Sequence, residues 1–141
     1  MEHRTEARFP GGYKTTIAVE SPGSGEVWEF HTDYSKPYGG EGSAPTPWDT
    51  FLAAMTACQG IHVRNFLADN GINTDEVRVQ MDLVVADDGR EVKEFRTNIV
   101  LPKDFPEELK EKTIAEARHC KVVQHLLDWE PVVKYSIEIK E

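Results

Sequence analysis

The sequence predicts an α+β fold in which antiparallel strands flank one long helix. Three features indicate this. Apolar and polar residues alternate in the first third of the chain, a capped helical segment follows, and a second alternating stretch precedes a helical C-terminal part. The predicted order is β-β-α-β-β-α-α-β, within a single domain of residues 1–141. Strands and helices do not alternate one by one, which disfavours a parallel βαβ sheet.

Two N-terminal strands are predicted at Tyr13–Glu20 and Glu26–Thr32, where apolar and β-branched residues alternate with polar ones. Residues 21–25 (SPGSG) are typical of a turn, so the two strands are expected to form a hairpin. Residues 3–8 are expected to add a third strand. The Gly- and Pro-rich residues 36–47 are predicted to form a loop that leads into the long helix.

The long helix is predicted to begin at Thr46 and to end at Asn70-Gly71. Thr46 suits the N-cap, Pro47 suits the first helical position, and Asp49 stands where a capping box needs an acceptor. Gly71 can adopt the left-handed conformation that ends many helices. The helix should therefore have about 24 residues and a length of roughly 36 Å.

The second half of the chain is predicted to contain a hairpin and two helical segments. Apolar and polar residues alternate over 76–102 on both sides of the turn signal at 87–89. A helix is predicted over 105–118, because acidic residues fill its first turn and a basic residue stands near its end. Residues 121–128 are expected to be helical, and residues 132–140 to form a closing strand.

No charged residue occurs between Thr50 and Ile61 in the long helix, whereas a surface helix would show a charged stripe. We therefore expect both faces of this helix to be covered. The large face should meet the sheet of its own chain, and the small face should meet either a second copy of the chain or a C-terminal helix. At 100° per residue the large face comprises Trp48, Phe51, Met55, Cys58, His62 and Phe66, and the small face Ala53, Thr56, Ala57 and Gly60.

The overall composition is acidic, with 16 Lys and Arg against 25 Asp and Glu and a net charge of −9. This balance argues against binding to nucleic acid or to an anionic membrane surface. No apolar run approaches the roughly 20 residues of a membrane-spanning helix, and residues 1–12 lack the apolar stretch of a signal peptide. We therefore expect a cytoplasmic protein without nucleic-acid or membrane partners.

The two cysteines, Cys58 and Cys120, have neither a zinc-motif spacing nor the number needed for a disulfide scaffold. One interpretation is that both are buried apolar thiols. His62 follows Cys58 by four residues, so its imidazole can hold a thiolate, share a metal or serve as a structural hydrogen-bonding group. If both cysteines and His62 converge, they supply three zinc-type ligands, and a metal-binding protein is the rival to our prediction of no metal and no cofactor.

Residues 39–60 (GGEGSAPTPWDTFLAAMTACQG) resemble the OsmC/organic hydroperoxide resistance family. The similarity consists of a Gly-Gly loop, a helix-opening Pro, an acidic residue, an Ala-rich turn and Cys58. A second mark of the family is a late cysteine followed by an apolar run, which residues 117–127 (ARHCKVVQHLL) supply with Cys120. The predicted order of strands and helices matches this family over nearly the whole chain. The residues that carry the first match are Gly39, Gly40, Pro47, Asp49, Ala53, Ala54, Ala57 and Cys58.

The resemblance implies an OsmC-like fold in an intertwined homodimer, with long central helices and two sites at the subunit interface. It also implies a thiol-dependent peroxidase, active in oxidative stress defence, that reduces hydroperoxides and is recycled by a thiol or dithiol reductant. Cys58 is then the peroxidatic nucleophile, which becomes a sulfenic acid, and Cys120 the resolving partner that forms a disulfide with it. The alternative is a non-catalytic binding protein that holds a metal or a small apolar ligand.

Members of the hydroperoxide-resistance branch have an Arg after a Gly-Gly pair in the N-terminal strands. Here Gly11-Gly12 is followed by Tyr13-Lys14. We expect Arg8 to supply the activating cation, because a guanidinium can contact two oxygens, with Arg4 and Lys14 as the other candidates. Asp49 is expected to act indirectly, orienting or balancing that cation. Four aromatic residues form either an apolar ligand pocket or ordinary core, namely Trp48, Phe51, Phe66 and Trp129.

Overall fold

The computed structural model describes residues 2–127 of the chain. These residues belong to two compact units. The first contains the residues up to Ala54 together with Met81–Arg96, and the second contains Met55–Gln80 together with the residues from Thr97 onward. The strand predicted at 132–140 lies outside the described residues.

The N-terminal sheet contains three antiparallel strands, β1 (Arg4–Gly11), β2 (Lys14–Glu20) and β3 (Val27–Thr32), in the order β1-β2-β3. The backbone N–H of Ser21 donates to the carbonyl of Glu26 at 2.8 Å and closes the turn between β2 and β3. The predicted hairpin and the predicted third strand are both confirmed.

Helix α1 extends over Pro47–Asp69 and has 23 residues, in agreement with the predicted helix. Its first turn forms a capping box. The backbone N–H and hydroxyl of Thr46 donate to Oδ2 of Asp49 at 3.0 and 2.7 Å, and the Asp49 N–H donates back to the hydroxyl at 3.2 Å. At the other end Gly71 has φ 73°. The helix therefore begins and ends where its sequence signals predict.

The buried face of α1 differs from the predicted large face. The fully buried residues recur every four positions at Met55, Gln59, Val63 and Leu67. Trp48, which was expected to face the core, is 53% exposed. The buried stripe is rotated toward Gln59 because a hydrogen-bonded amide can be buried there, which hydrophobicity alone does not anticipate. The other residues of the predicted face are half-buried, namely Phe51, Cys58, His62 and Phe66.

The rest of the described chain forms a hairpin and two short helices. Strands β4 (Arg78–Val85) and β5 (Val92–Val100) pair across a turn that needs Gly89, whose φ is 69°. Helix α2 (Lys110–Arg118) and helix α3 (Lys121–Leu127) follow. The predicted helix over 105–118 is therefore α2, which is preceded by a single 3-10 turn at Glu107–Leu109. Within residues 2–127, none of the helices has the length and apolar character needed to cross a bilayer.

The hydrophobic core of the second unit forms around Val63 and Leu67 of α1 and Ala117 of α2. Val63 and Leu67 have no exposed surface. Apolar side chains from both strands of the second hairpin and from the adjoining loops pack around them. These half-buried residues are Phe66, Ile72, Val77, Val79, Ile99, Leu101 and Phe105.

We expect Leu67→Ala to lower the free energy of unfolding by about 2–5 kcal/mol, because it leaves a cavity in a closely packed core. Urea denaturation followed by circular dichroism measures this change. Ile114→Ala is the matched control, since Ile114 is half exposed on α2 and its truncation should have a much smaller effect. Equal losses for the two variants would contradict the assignment of this core.

Candidate functional site

The two cysteines lie in the second unit and contact each other. Cys58 is half-buried on α1, and Cys120 is fully buried between α2 and α3. Both are free thiols, and their side chains are hydrogen-bonded to each other. The structure therefore brings together two residues that are far apart in sequence, as the proposed pairing requires. The disulfide between them stays a prediction.

Burial raises the pKa of the Cys120 thiol above its ordinary value, and its hydrogen bond to Cys58 raises this pKa further. The backbone N–H groups of Val122 and Val123 act in the opposite direction, because they stabilise a thiolate at Cys120. Burial dominates. The net effect favours the protonated form of the Cys120 thiol, which lies against the side chain of Cys58.

The residue that follows Cys58 in sequence, the buried Gln59, is hydrogen-bonded to an exposed threonine of β5. Gln59 is 5% exposed, and its Oε1 accepts a hydrogen bond of 2.9 Å from the hydroxyl of Thr97 on β5. Sequence analysis missed both residues. One sequence signal could have identified Gln59. It is the only polar residue in a series of four buried residues of α1 that are spaced four positions apart.

The predicted activating cations lie in the first unit, where two of them are paired with carboxylates. Arg8 of β1 forms an ion pair with Glu29 of β3. Lys14 forms an ion pair with Glu41, and the hydrogen bond and charge of that carboxylate raise the Lys14 pKa. Arg4 lies at the exposed start of β1. Sequence analysis identified these cations but not their carboxylate partners.

Asp49 was expected to orient or balance the activating cation. In the structure it accepts the hydrogen bonds of the capping box at the start of α1. His62 is half-buried on the same helix. Within residues 2–127, no three His, Cys, Asp or Glu side chains are arranged to hold a metal ion. In this part of the chain, Cys58, His62 and Cys120 therefore do not converge as the metal-binding alternative requires.

A second carboxylate, that of Asp33, organises the Gly-rich loop before α1. Asp33 is almost fully buried and accepts hydrogen bonds from the N–H and hydroxyl of Ser43 at 3.0 and 2.8 Å. It also accepts from the N–H groups of Tyr34 and Glu41. These bonds, those of Ser43 first, lower the pKa of Asp33. Gly40 is required in this loop, because a Cβ there would lie 1.8 Å from the Tyr34 carbonyl oxygen.

The turn between β1 and β2 packs against this loop within the first unit. The rings of Tyr13 and Tyr34 are stacked with centroids 5.0 Å apart. The ion pair between Lys14 and Glu41 joins the same two segments. A cavity of about 370 Å³ lies between them and is lined in part by Gly12. Polar contacts on both sides thus fix the shape of a segment that is rich in glycine.

Two of the four aromatic residues considered for a ligand pocket pack against each other. In the first unit, Trp48 packs edge-on against Phe51 at 5.7 Å, and Phe51 packs against Phe95 at 6.4 Å. Phe66 packs against the core of the second unit. Trp129 lies outside the described residues. The core interpretation therefore holds for Phe66, and a partly exposed aromatic cluster remains at the start of α1.

Comparison with known proteins supports one family. Residues 40–136 match the family model described as OsmC-like protein. No sequence among the curated proteins matches the chain.

Solved structures share the fold at low identity. A Psychrobacter arcticus 273-4 protein assigned to the osmotic stress induced and detoxification response has a TM-score of 0.69 and 20% identity, with 85% of each chain covered. The organic hydroperoxide resistance protein OsmC of Legionella pneumophila has a TM-score of 0.59 and 18% identity, with 89% of each chain covered. An organic hydroperoxide resistance protein of Elizabethkingia anophelis has a TM-score of 0.55 and 20% identity, and the match covers 88% of this chain and 86% of that one.

We expect the Cys120 thiol to titrate above the ordinary thiol value of about 8.5 in the folded protein. The reason is that burial disfavours its charged form. The measurement is the ultraviolet thiolate absorbance of the Cys58→Ser variant as a function of pH. The same variant unfolded in urea is the control and should titrate near the ordinary value. A folded-state value equal to or below the control would contradict the predicted direction.

Proposed function

The chain belongs to the OsmC-like protein family, and on this basis we propose that it is a thiol-dependent peroxidase that reduces hydroperoxides, organic ones included. The observation that carries the proposal is the hydrogen bond between the thiols of Cys58 and Cys120. Two thiols in contact can exchange one pair of electrons with a peroxide and store the oxidation as a disulfide. Two of the structures with the same fold are organic hydroperoxide resistance proteins.

In the proposed reaction the Cys58 thiolate attacks the distal oxygen of the hydroperoxide. The S–O bond forms while the O–O bond breaks, and the alkoxide leaves as an alcohol after it takes up a proton. Cys58 is then a sulfenic acid. The Cys120 thiol attacks the Cys58 sulfur, the S–S bond forms and water leaves. A thiol or dithiol reductant then restores both thiols by exchange.

The different burial of the two cysteines supports their proposed roles. Half-buried Cys58 leaves part of its side chain accessible, as a nucleophile that must meet a peroxide requires. Fully buried Cys120 is protected from direct oxidation and already touches its partner. A disulfide requires Cα atoms within about 7 Å, and contact between the thiols is compatible with that limit.

We propose that Arg8 supplies the activating cation, because its guanidinium can contact both the thiolate and a peroxide oxygen. Its exposed ion pair with Glu29 contributes little energy, so Arg8 can exchange partners. Arg4 and Lys14 remain the other candidates. Asp49 keeps an indirect role, in which it orients or balances the cation while its carboxylate caps α1.

We also propose that the protein acts as a cytoplasmic homodimer built from one OsmC-like domain per chain. The matched residues 40–136 include parts of both compact units, which supports a single domain. Large apolar side chains on β3 are exposed, among them Trp28 at 55%. On α1, Ala53 and Ala57 are exposed and Ile61 is 59% exposed. Large apolar side chains that are exposed in one chain support the proposed interface, because such side chains can be covered by a second copy.

We expect Cys58→Ser to abolish peroxide turnover, because a hydroxyl at neutral pH is a far poorer nucleophile than a thiolate. Cys120→Ser should preserve the first oxidation and stop recycling through the internal disulfide.

Arg8→Ala should slow the first step on the order of 100-fold, the usual effect of losing one preorganised donor. Consumption of cumene hydroperoxide with dithiothreitol measures turnover, and mass spectrometry identifies the oxidised cysteines.

The control for this series is His119→Ala, because His119 is exposed and adjacent to Cys120 in sequence. It should leave turnover unchanged. The peroxidase proposal would be wrong if neither hydrogen peroxide nor the organic hydroperoxide oxidised Cys58 in the wild-type protein.

For the assembly, we expect Ala57→Leu to weaken the homodimer, since overpacking a close contact costs about 1–3 kcal/mol. Sedimentation velocity over a range of protein concentrations measures the dissociation constant. Ala115→Leu is the matched control, because Ala115 is an exposed alanine on α2. A wild-type protein that sediments as a monomer at micromolar concentration would overturn the dimer.

A further inference from the structure

One polar residue interrupts the buried stripe of α1. Met55, Val63 and Leu67 are apolar, and Gln59 occupies the remaining position of the four-residue repeat while being 95% buried. An apolar side chain at this position would satisfy the hydrophobic core without a hydrogen-bonding partner. The buried amide instead depends on the hydroxyl of Thr97, 2.9 Å away on β5.

This hydrogen bond restrains the helix differently from its apolar neighbours. Apolar packing is not directional, so it tolerates small rotations of a helix about its axis. A hydrogen bond weakens steeply once its angle falls below about 120°. The bond between Gln59 and Thr97 therefore selects one rotational setting of α1 relative to β5 within the second unit.

Cys58 immediately precedes Gln59, so the same rotational setting decides where its sulfur points. Its partner Cys120 follows the core helix α2, where Ala117 and Thr113 are buried. A disulfide needs Cβ atoms only about 3.5–4.5 Å apart, so a modest rotation of α1 separates the two sulfurs. We propose that Gln59, through Thr97, is a positioning residue that holds the sulfur of Cys58 against the sulfur of Cys120.

The inference deepens the proposed function, because it concerns the same cysteine pair. Gln59 touches neither peroxide nor reductant in this account. It acts on the equilibrium and the rate of disulfide formation, and hence on the resolving step. Loss of the hydrogen bond should leave the first oxidation of Cys58 largely unchanged and should lengthen the lifetime of its sulfenic acid.

The experiment compares Gln59→Met, Thr97→Val and the double variant with the wild-type protein. Gln59→Met keeps the shape and length of the side chain, and Thr97→Val keeps the branched shape without the hydroxyl. The equilibrium constant of the Cys58–Cys120 disulfide against glutathione is measured by alkylation and mass spectrometry. We expect each single variant to lower this constant about tenfold, and the double variant to add little, because both changes remove one shared interaction.

Two further variants separate positioning from a general loss of stability. Thr113→Val removes a different hydroxyl of the second unit, that of the buried Thr113, which donates to the Leu109 carbonyl at 2.8 Å. It should leave the disulfide constant unchanged. Thr97→Ser keeps the hydroxyl and should restore the constant to near the wild-type value, which keeps the proposal testable even if Gln59→Met folds poorly.

The outcomes for the two proposals are distinct. If the wild type forms the disulfide, and Gln59→Met and Thr97→Val form it equally well, the positioning role is wrong while the peroxidase proposal stands. The positioning role is also wrong if Thr113→Val lowers the constant as much as they do. A wild-type disulfide that responds to these variants, without peroxide turnover, supports the positioning role and overturns the peroxidase. Absence of the disulfide from the oxidised wild type would overturn both.

Discussion

The burial of one face of α1 is the constraint on which the rest of the second unit depends. Val63 and Leu67 have no exposed surface, and full burial of such side chains contributes roughly 1.5–3 kcal/mol each. A net hydrogen bond contributes about 1 kcal/mol. Apolar contacts with Ala117 and its neighbours therefore hold the helix in place. The weaker polar contact at Gln59 selects among nearly equivalent rotations of a helix that is already packed.

The difference between the interactions that form α1 and those that set its rotation explains how much of the fold the sequence predicts. Helix α1 begins and ends as predicted because its caps are local: Thr46, Asp49 and Gly71 act within a few residues of the helix ends. The hairpins are predictable for the same reason, since their turns form from adjacent residues. The rotation of α1 is not local. It depends on Thr97, 38 residues away from Gln59, and amphipathic periodicity contains no information on that contact.

The candidate site shows the same limit. Spacing alone leaves Cys58 and Cys120 as two unremarkable thiols, and the family resemblance is what implied that they meet. The pairing of Arg8 with Glu29, 21 residues apart, arises from a sheet register that single-sequence patterns do not fix. The role of Asp33 was missed for a related reason. Its carboxylate accepts hydrogen bonds from Glu41 and Ser43, whose positions depend on the closed shape of the loop.

The acidic charge balance of the chain limits which cations can activate Cys58. The net charge is −9, and Arg8 and Lys14 are each already paired with a glutamate. If Arg8 or Lys14 is to face a thiolate or a peroxide, it must therefore leave its glutamate first. Cys120 differs from these cations, because burial favours its neutral thiol and its side chain is already hydrogen-bonded to that of Cys58. The resolving cysteine is thus already in place beside Cys58 before any cation arrives, and the contact between the two thiols is replaced by a covalent bond once the disulfide forms.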